Sequence, residues 1–114
     1  MRKIKHFRPF SYRYDNRSAR GAITVVSDLI YGDSKFPIAV EFAVSYCSPK
    51  DQFIKRDGVA IADQRLKTKD ARFYRMIPIT ANRKLRYYEL EDLIAVNVMH
   101  SMDAPKWARE LLTA

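Results

Sequence analysis

Residues 36–47 carry the clearest pattern in the chain. Ile38, Val40, Phe42, Val44 and Tyr46 fall on one side of a period-two alternation; Ala39, Glu41, Ala43, Ser45 and Cys47 fall on the other. Large β-branched and aromatic residues on one side only predict a half-buried strand. Ser48-Pro49-Lys50-Asp51 follows directly. Ser48 can accept from first-turn amides, Pro49 suits the first helical position, and Asp51 can reach back to the Ser48 amide. The pattern therefore runs from a strand straight into a capped helix.

Upstream, Lys3, Lys5 and Phe7 alternate with Ile4, His6 and Arg8, and Phe10, Tyr12 and Tyr14 alternate with Ser11 and Arg13. This is strand-like, with Pro9 marking an edge, a bulge or a break. Residues 16–21 read as a polar turn in which Gly21 can take positive φ. Residues 22–31 read as a second strand on their β-branched content, although Val25, Val26, Leu29 and Ile30 also fit a helical face. Gly32-Asp33-Ser34 then turns the chain into the 36–47 strand as an antiparallel hairpin.

Downstream, three readings of residues 51–66 stay open. Phe53, Ile54, Ala60 and Ile61 share one helical face; Val59, Ala62 and Leu66 lie on another, with the turn dipeptide Asp57-Gly58 between them. One helix could tolerate Gly58 at about 1 kcal/mol relative to Ala. Alternatively a short helix ends there on a left-handed cap, or a small hairpin turns there. Helix is favoured. Residues 72–79 read as another strand, Phe73, Arg75, Ile77 and Ile79 against Tyr74 and Met76, with Pro78 holding it at a sheet edge.

The period then changes. Leu90, Leu93, Ile94, Val98, Ser101 and Met102 recur at three and four, with Glu89, Glu91 and Asp92 near the start, which predicts a helix over about residues 87–102. Asp103-Ala104-Pro105 restarts the chain, and Trp107, Ala108 and Leu111 form one face of a short terminal helix. The expected architecture is a single α+β domain over residues 1–114. It is a mainly antiparallel sheet with helices packed on one face.

Composition narrows the class. A 114-residue chain that is 47% hydrophobic, with seven Tyr and six Phe, can build a core. No apolar run is long enough to cross a bilayer, and Met1-Arg2-Lys3-Ile4-Lys5 lacks the apolar stretch of a secretion signal. The single cysteine, Cys47, cannot form an internal disulfide, so a reducing cytoplasm is the expected compartment and no membrane the expected partner. The formal charge of +8 is unevenly placed: residues 1–20 carry a net +6, residues 71–90 a net +4, and the last twenty-four residues a net −2. That asymmetry points to a polyanion or to an acidic protein partner.

Catalytic and metal chemistry find little support. His6 and His100 are the only histidines, and nothing in the pattern places either beside Cys47. Asp51 and Asp57, six residues apart, would point about 120° away from each other on a helix. No metal-ligand spacing, glycine-rich phosphate loop or cofactor motif is present, so a non-enzymatic protein without metal or cofactor is expected.

Arginines interleave with aromatics twice, in residues 7–14 and in residues 72–88. If those segments adjoin, Arg8, Arg13, Arg17, Arg20, Arg72, Arg75, Arg83, Lys84 and Arg86 would contact phosphates. Tyr12, Tyr14, Tyr74 and Tyr87 would stack on bases. The expected function is nucleic-acid binding. The alternative is an inhibitor of a host enzyme or bacterial defence complex, using the same Tyr- and Arg-rich surface on an acidic target. An open strand edge at Pro9 or Pro78 would also allow self-association.

Residues 47–53 (Cys-Ser-Pro-Lys-Asp-Gln-Phe), followed by Lys55, Gly58, Ile61-Ala62 and Arg65-Leu66, resemble a segment of small uncharacterised bacteriophage accessory proteins. The resemblance covers about twenty residues. It implies a phage-encoded protein made in a bacterial cytoplasm, a context in which such proteins bind host nucleic-acid machinery or block host defences. It implies no functional residues.

Overall fold

Two strands of nine residues, β2 (Ala22–Ile30) and β3 (Ala39–Cys47), pair along their whole length, with Ala22 opposite Cys47 and Ile30 opposite Ala39. The Ile38 amide donates to the Ile30 carbonyl at 2.8 Å and closes the predicted hairpin. Gly21, at φ 88°, enters β2 through the left-handed region that its missing Cβ permits. β1 (Lys3–Phe7) pairs with β2, and β4 (Tyr74–Pro78) with β3, giving an antiparallel sheet in the order β1-β2-β3-β4. Three helices accompany it: α1 (Lys55–Thr68), α2 (Tyr87–Ser101) and α3 (Lys106–Thr113). The computed structural model describes residues 3–7, 21–33, 35–48, 54–80, 83 and 85–113. The mixed α+β class and the antiparallel sheet agree with the sequence expectation.

The helices cover both faces of the sheet rather than one. On the first face Ile23 and Val25 of β2 and Val40, Phe42 and Val44 of β3 pack against Ile94 and Val98 of α2, its C-cap Met102 and Ala108 of α3. Leu90, Ile94, Val98 and Met102 repeat every four residues, a stripe that carries α2 across the sheet. On the second face Val26 and Ala43 pack against Ala62 and Leu66 of α1, with Val59 and Tyr74 beside them. Ala39, Ala43 and Ser45 on that side of β3 are small, and small residues let a helix sit close to a sheet. The Ser45 hydroxyl, in the same layer, donates to the Gly58 carbonyl of α1 at 2.8 Å. Thr24, fully buried there, shares a 2.9 Å hydrogen bond between its hydroxyl and His6 Nδ1. Both buried polar side chains are therefore satisfied.

Two other expectations change. α1 runs unbroken through Gly58, and its N-cap is Ile54, whose side chain makes no capping bond. The helix therefore does not start on Ser48; Pro49, Lys50 and Asp51 lie outside the described residues. β4 begins at Tyr74, not Arg72, because Ala71 to Phe73 form a turn closed by Phe73 N donating to Asp70 O at 3.0 Å. The faces of β4 are as predicted: Phe73, Ile77 and Ile79 join the first core and Tyr74 the second. β4 is an edge strand, as Pro78 required.

Candidate nucleic-acid interface

The predicted contact residues divide into three groups. Arg8, Tyr12, Arg13, Tyr14, Arg17, Arg20 and Lys84 lie outside the described residues. Arg72, Tyr74 and Arg75 stand where β4 begins, and Arg83, Arg86 and Tyr87 gather at the start of α2. β1 and β4 occupy opposite edges of the sheet, so the two basic strands do not adjoin. Arg75 and Lys3 mark the two ends of one row across the sheet, through Phe42 and Ser27. Tyr87 sits under Lys3, whose Nζ is 4.4 Å from the ring centroid. Arg75 and Tyr87 are therefore about the width of the sheet apart, roughly 14 Å at 4.8 Å per strand.

Phe73 is the centre of the group at the start of β4. It follows the Asp70 turn, where Asp70 Oδ1 accepts the Arg72 amide at 3.1 Å, and its own carbonyl accepts the Val44 amide at 3.0 Å. Two guanidinium carbons lie within cation–π reach of its ring, Arg65 at 3.7 Å and Arg72 at 5.1 Å. Tyr46 meets Phe73 edge-on at 6.3 Å, and Trp107 meets Tyr46 at the same distance and 88°. The Tyr46 hydroxyl donates to the Met102 carbonyl at 2.8 Å. Burial pushes the Tyr46 phenol well above its ordinary range.

The arginines of this end differ in what they are doing. Arg65 reaches from α1 to donate to the Val44 carbonyl at 2.8 Å, and burial lowers its pKa. Arg75 donates to the Ala71 carbonyl at 2.5 Å and to the Tyr74 carbonyl at 2.7 Å, so it ties the turn to the strand. Arg72 has a side chain 70% exposed, with Asp70 Oδ1 4.0 Å from its Nε. It is the predicted arginine of this group that faces solvent. Tyr74 points to the other face, where its hydroxyl donates to Glu41 Oε2 at 2.9 Å; burial first, then that bond, raise its pKa.

Arg65 was not among the predicted site residues. The sequence held a signal for it, since Arg65 follows Ala62 by three and precedes Leu66 by one, on the stripe that α1 buries. Comparison with protein-family models, curated proteins and solved structures finds no match.

At the start of α2, Arg83 forms a two-pronged pair with Glu89, Nη1 to Oε1 at 3.0 Å and Nη2 to Oε2 at 2.7 Å. Glu89 Oε1 also accepts the Arg86 amide at 3.1 Å, closing the first turn. The Arg83 guanidinium, then the Arg86 amide, hold the Glu89 carboxyl down at about 2. Burial, then Glu91, raise the Tyr87 phenol.

β2 lies between His6 and Cys47, so no Cys–His pair forms there. Among the described residues no three His, Cys, Asp or Glu gather where they could hold a metal ion. Among the same residues no helix is long and apolar enough to cross a membrane.

Proposed function

We propose that the chain binds nucleic acid without catalysis, at the end of the sheet where Phe73 sits. One relationship carries this reading. β1 leaves the sheet at Phe7, opposite Ile23, and the chain re-enters at Gly21, beside the Ala22–Cys47 pair. Both flanks of residues 8–20 are thus anchored at the end that also holds Arg65, Arg72 and Arg75. That segment contains four arginines against Asp15. Arg8, Arg13, Arg17 and Arg20 would join Arg72 in contacting phosphates, with Tyr12 and Tyr14 as the stacking rings. Arg83, Lys84, Arg86, Tyr74 and Tyr87 are not needed for this surface. The resemblance of residues 47–66 to phage accessory proteins supports a phage-encoded protein acting in the bacterial cytoplasm.

Purification under native conditions tests the reading. A nucleic-acid binder elutes with high absorbance at 260 nm and loses it in high salt. Clean protein that instead retains one acidic host protein after nuclease treatment would replace this reading with the inhibitor reading.

A further inference from the structure

A groove opens between the β2–β3 hairpin loop and the start of α2, away from Phe73. Leu29 and Leu90 lie on its floor, Tyr31 and Tyr87 beside it, and Lys3 and Arg86 on its rim. Its volume is about 460 Å³, within the range of pockets that hold small organic ligands. It continues into an apolar cleft of about 30 Å³ between β1 and α2.

The charged residues that line the wide part of this groove are Lys3 and Arg86. None of the described residues lining its wide part is acidic. Glu91 lines the narrow cleft, where Lys5 Nζ stands 3.7 Å from its Oε1 and its carboxylate accepts from the Tyr87 phenol. Glu89 is turned to Arg83 and to the Arg86 amide, and Arg86 itself is exposed at the rim. Tyr31 and Tyr87 remain 53% and 48% exposed, although Lys3 Nζ lies over one face of the Tyr87 ring at 4.4 Å. Apolar floor, flat rings and two cations on the rim together describe a ligand with a flat apolar body and an anionic head.

We propose that this groove binds a small aromatic anion, its ring over Leu29 and Leu90 beside Tyr31 and Tyr87. Its negative group meets Lys3 and Arg86. The site is separate from the Phe73 end and does not depend on nucleic-acid binding.

Calorimetric titration of the full chain with a naphthalenesulfonate, and with the uncharged naphthol, tests it. The sulfonate should bind one to one and about tenfold more tightly than the naphthol. Lys3→Glu with Arg86→Glu should weaken the sulfonate about tenfold or more and leave the naphthol little changed; Lys3→Gln with Arg86→Gln covers any loss of folding in the reversed pair. Arg72→Glu should bind the sulfonate as the wild type does, so the two sites fail separately. Absence of saturable binding, equal affinity for sulfonate and naphthol, or sulfonate binding unchanged in both double variants would overturn the proposal.

Discussion

Tyr46 of β3 and Met102 at the end of α2 are joined by a 2.8 Å hydrogen bond from phenol to carbonyl across 56 residues of sequence. That bond fixes the far end of α2 to the strand whose neighbour in space is Phe73. Tyr46→Phe keeps the ring packing against Phe73 and Trp107 and removes the bond alone. It should cost about 1 kcal/mol and lower the melting temperature by roughly 5 °C for a domain of this size. Urea denaturation measures the first and a thermal scan the second. A variant as stable as the wild type would mean that the bond contributes nothing net.

α1 ends on Lys69, which stands at φ 53° and ψ 49° with its amide donating to the Arg65 carbonyl. A side chain in the left-handed region is strained, and glycine relieves that strain. Lys69→Gly should therefore stabilise the protein by about 0.5–1 kcal/mol, after the extra freedom glycine gives the unfolded chain is deducted. Denaturant midpoints at equal m-value read the difference.

Glu89 gives stability its clearest pH dependence. Its folded pKa of about 2 lies below the ordinary glutamate value of about 4.3. A depressed folded pKa contributes stability that is present above about pH 4 and is lost as pH falls toward about 2. Glu89→Gln should therefore be less stable than the wild type at neutral pH, with the gap closing between about pH 4 and 2. Thermal melts of both proteins across that range provide the comparison. A gap independent of pH would remove the carboxylate from this role.

The strands and the late helix were legible because their large apolar residues fall on one side. Leu90, Leu93, Ile94, Val98 and Met102 recur at three and four, and the odd step to Leu93 breaks a strand's period of two, so α2 was expected over about the residues it occupies. The second covered face was not legible. Ala39, Ala43 and Ser45 look like a solvent side beside Val40, Phe42 and Val44. They are instead the small side of a strand packed twice, at different distances, with α1 seated close. Alternation of large and small reads the same as alternation of inside and outside when the polar residues are few. The start of α1 was misplaced because Ser48-Pro49-Lys50-Asp51 satisfies every local capping preference, while Ile54 satisfies none.

The candidate site was legible in composition and not in position. Arg72 and Arg75 look equivalent in sequence, yet Arg75 is occupied by the Ala71 and Tyr74 carbonyls and Arg72 faces solvent. Which arginine serves the backbone depends on a turn whose carbonyls the sequence cannot aim.

Salt dependence of oligonucleotide binding tests the nucleic-acid reading most directly. Fluorescence anisotropy with a labelled single strand should give an affinity that falls linearly on logarithmic axes as salt rises. Arg72→Glu combined with Arg20→Glu should weaken binding and reduce the slope by about 0.7 for each phosphate the variant no longer neutralises, with the melting temperature unchanged. A wild type that fails to bind at low salt, or a double variant with the wild-type slope, would contradict the account.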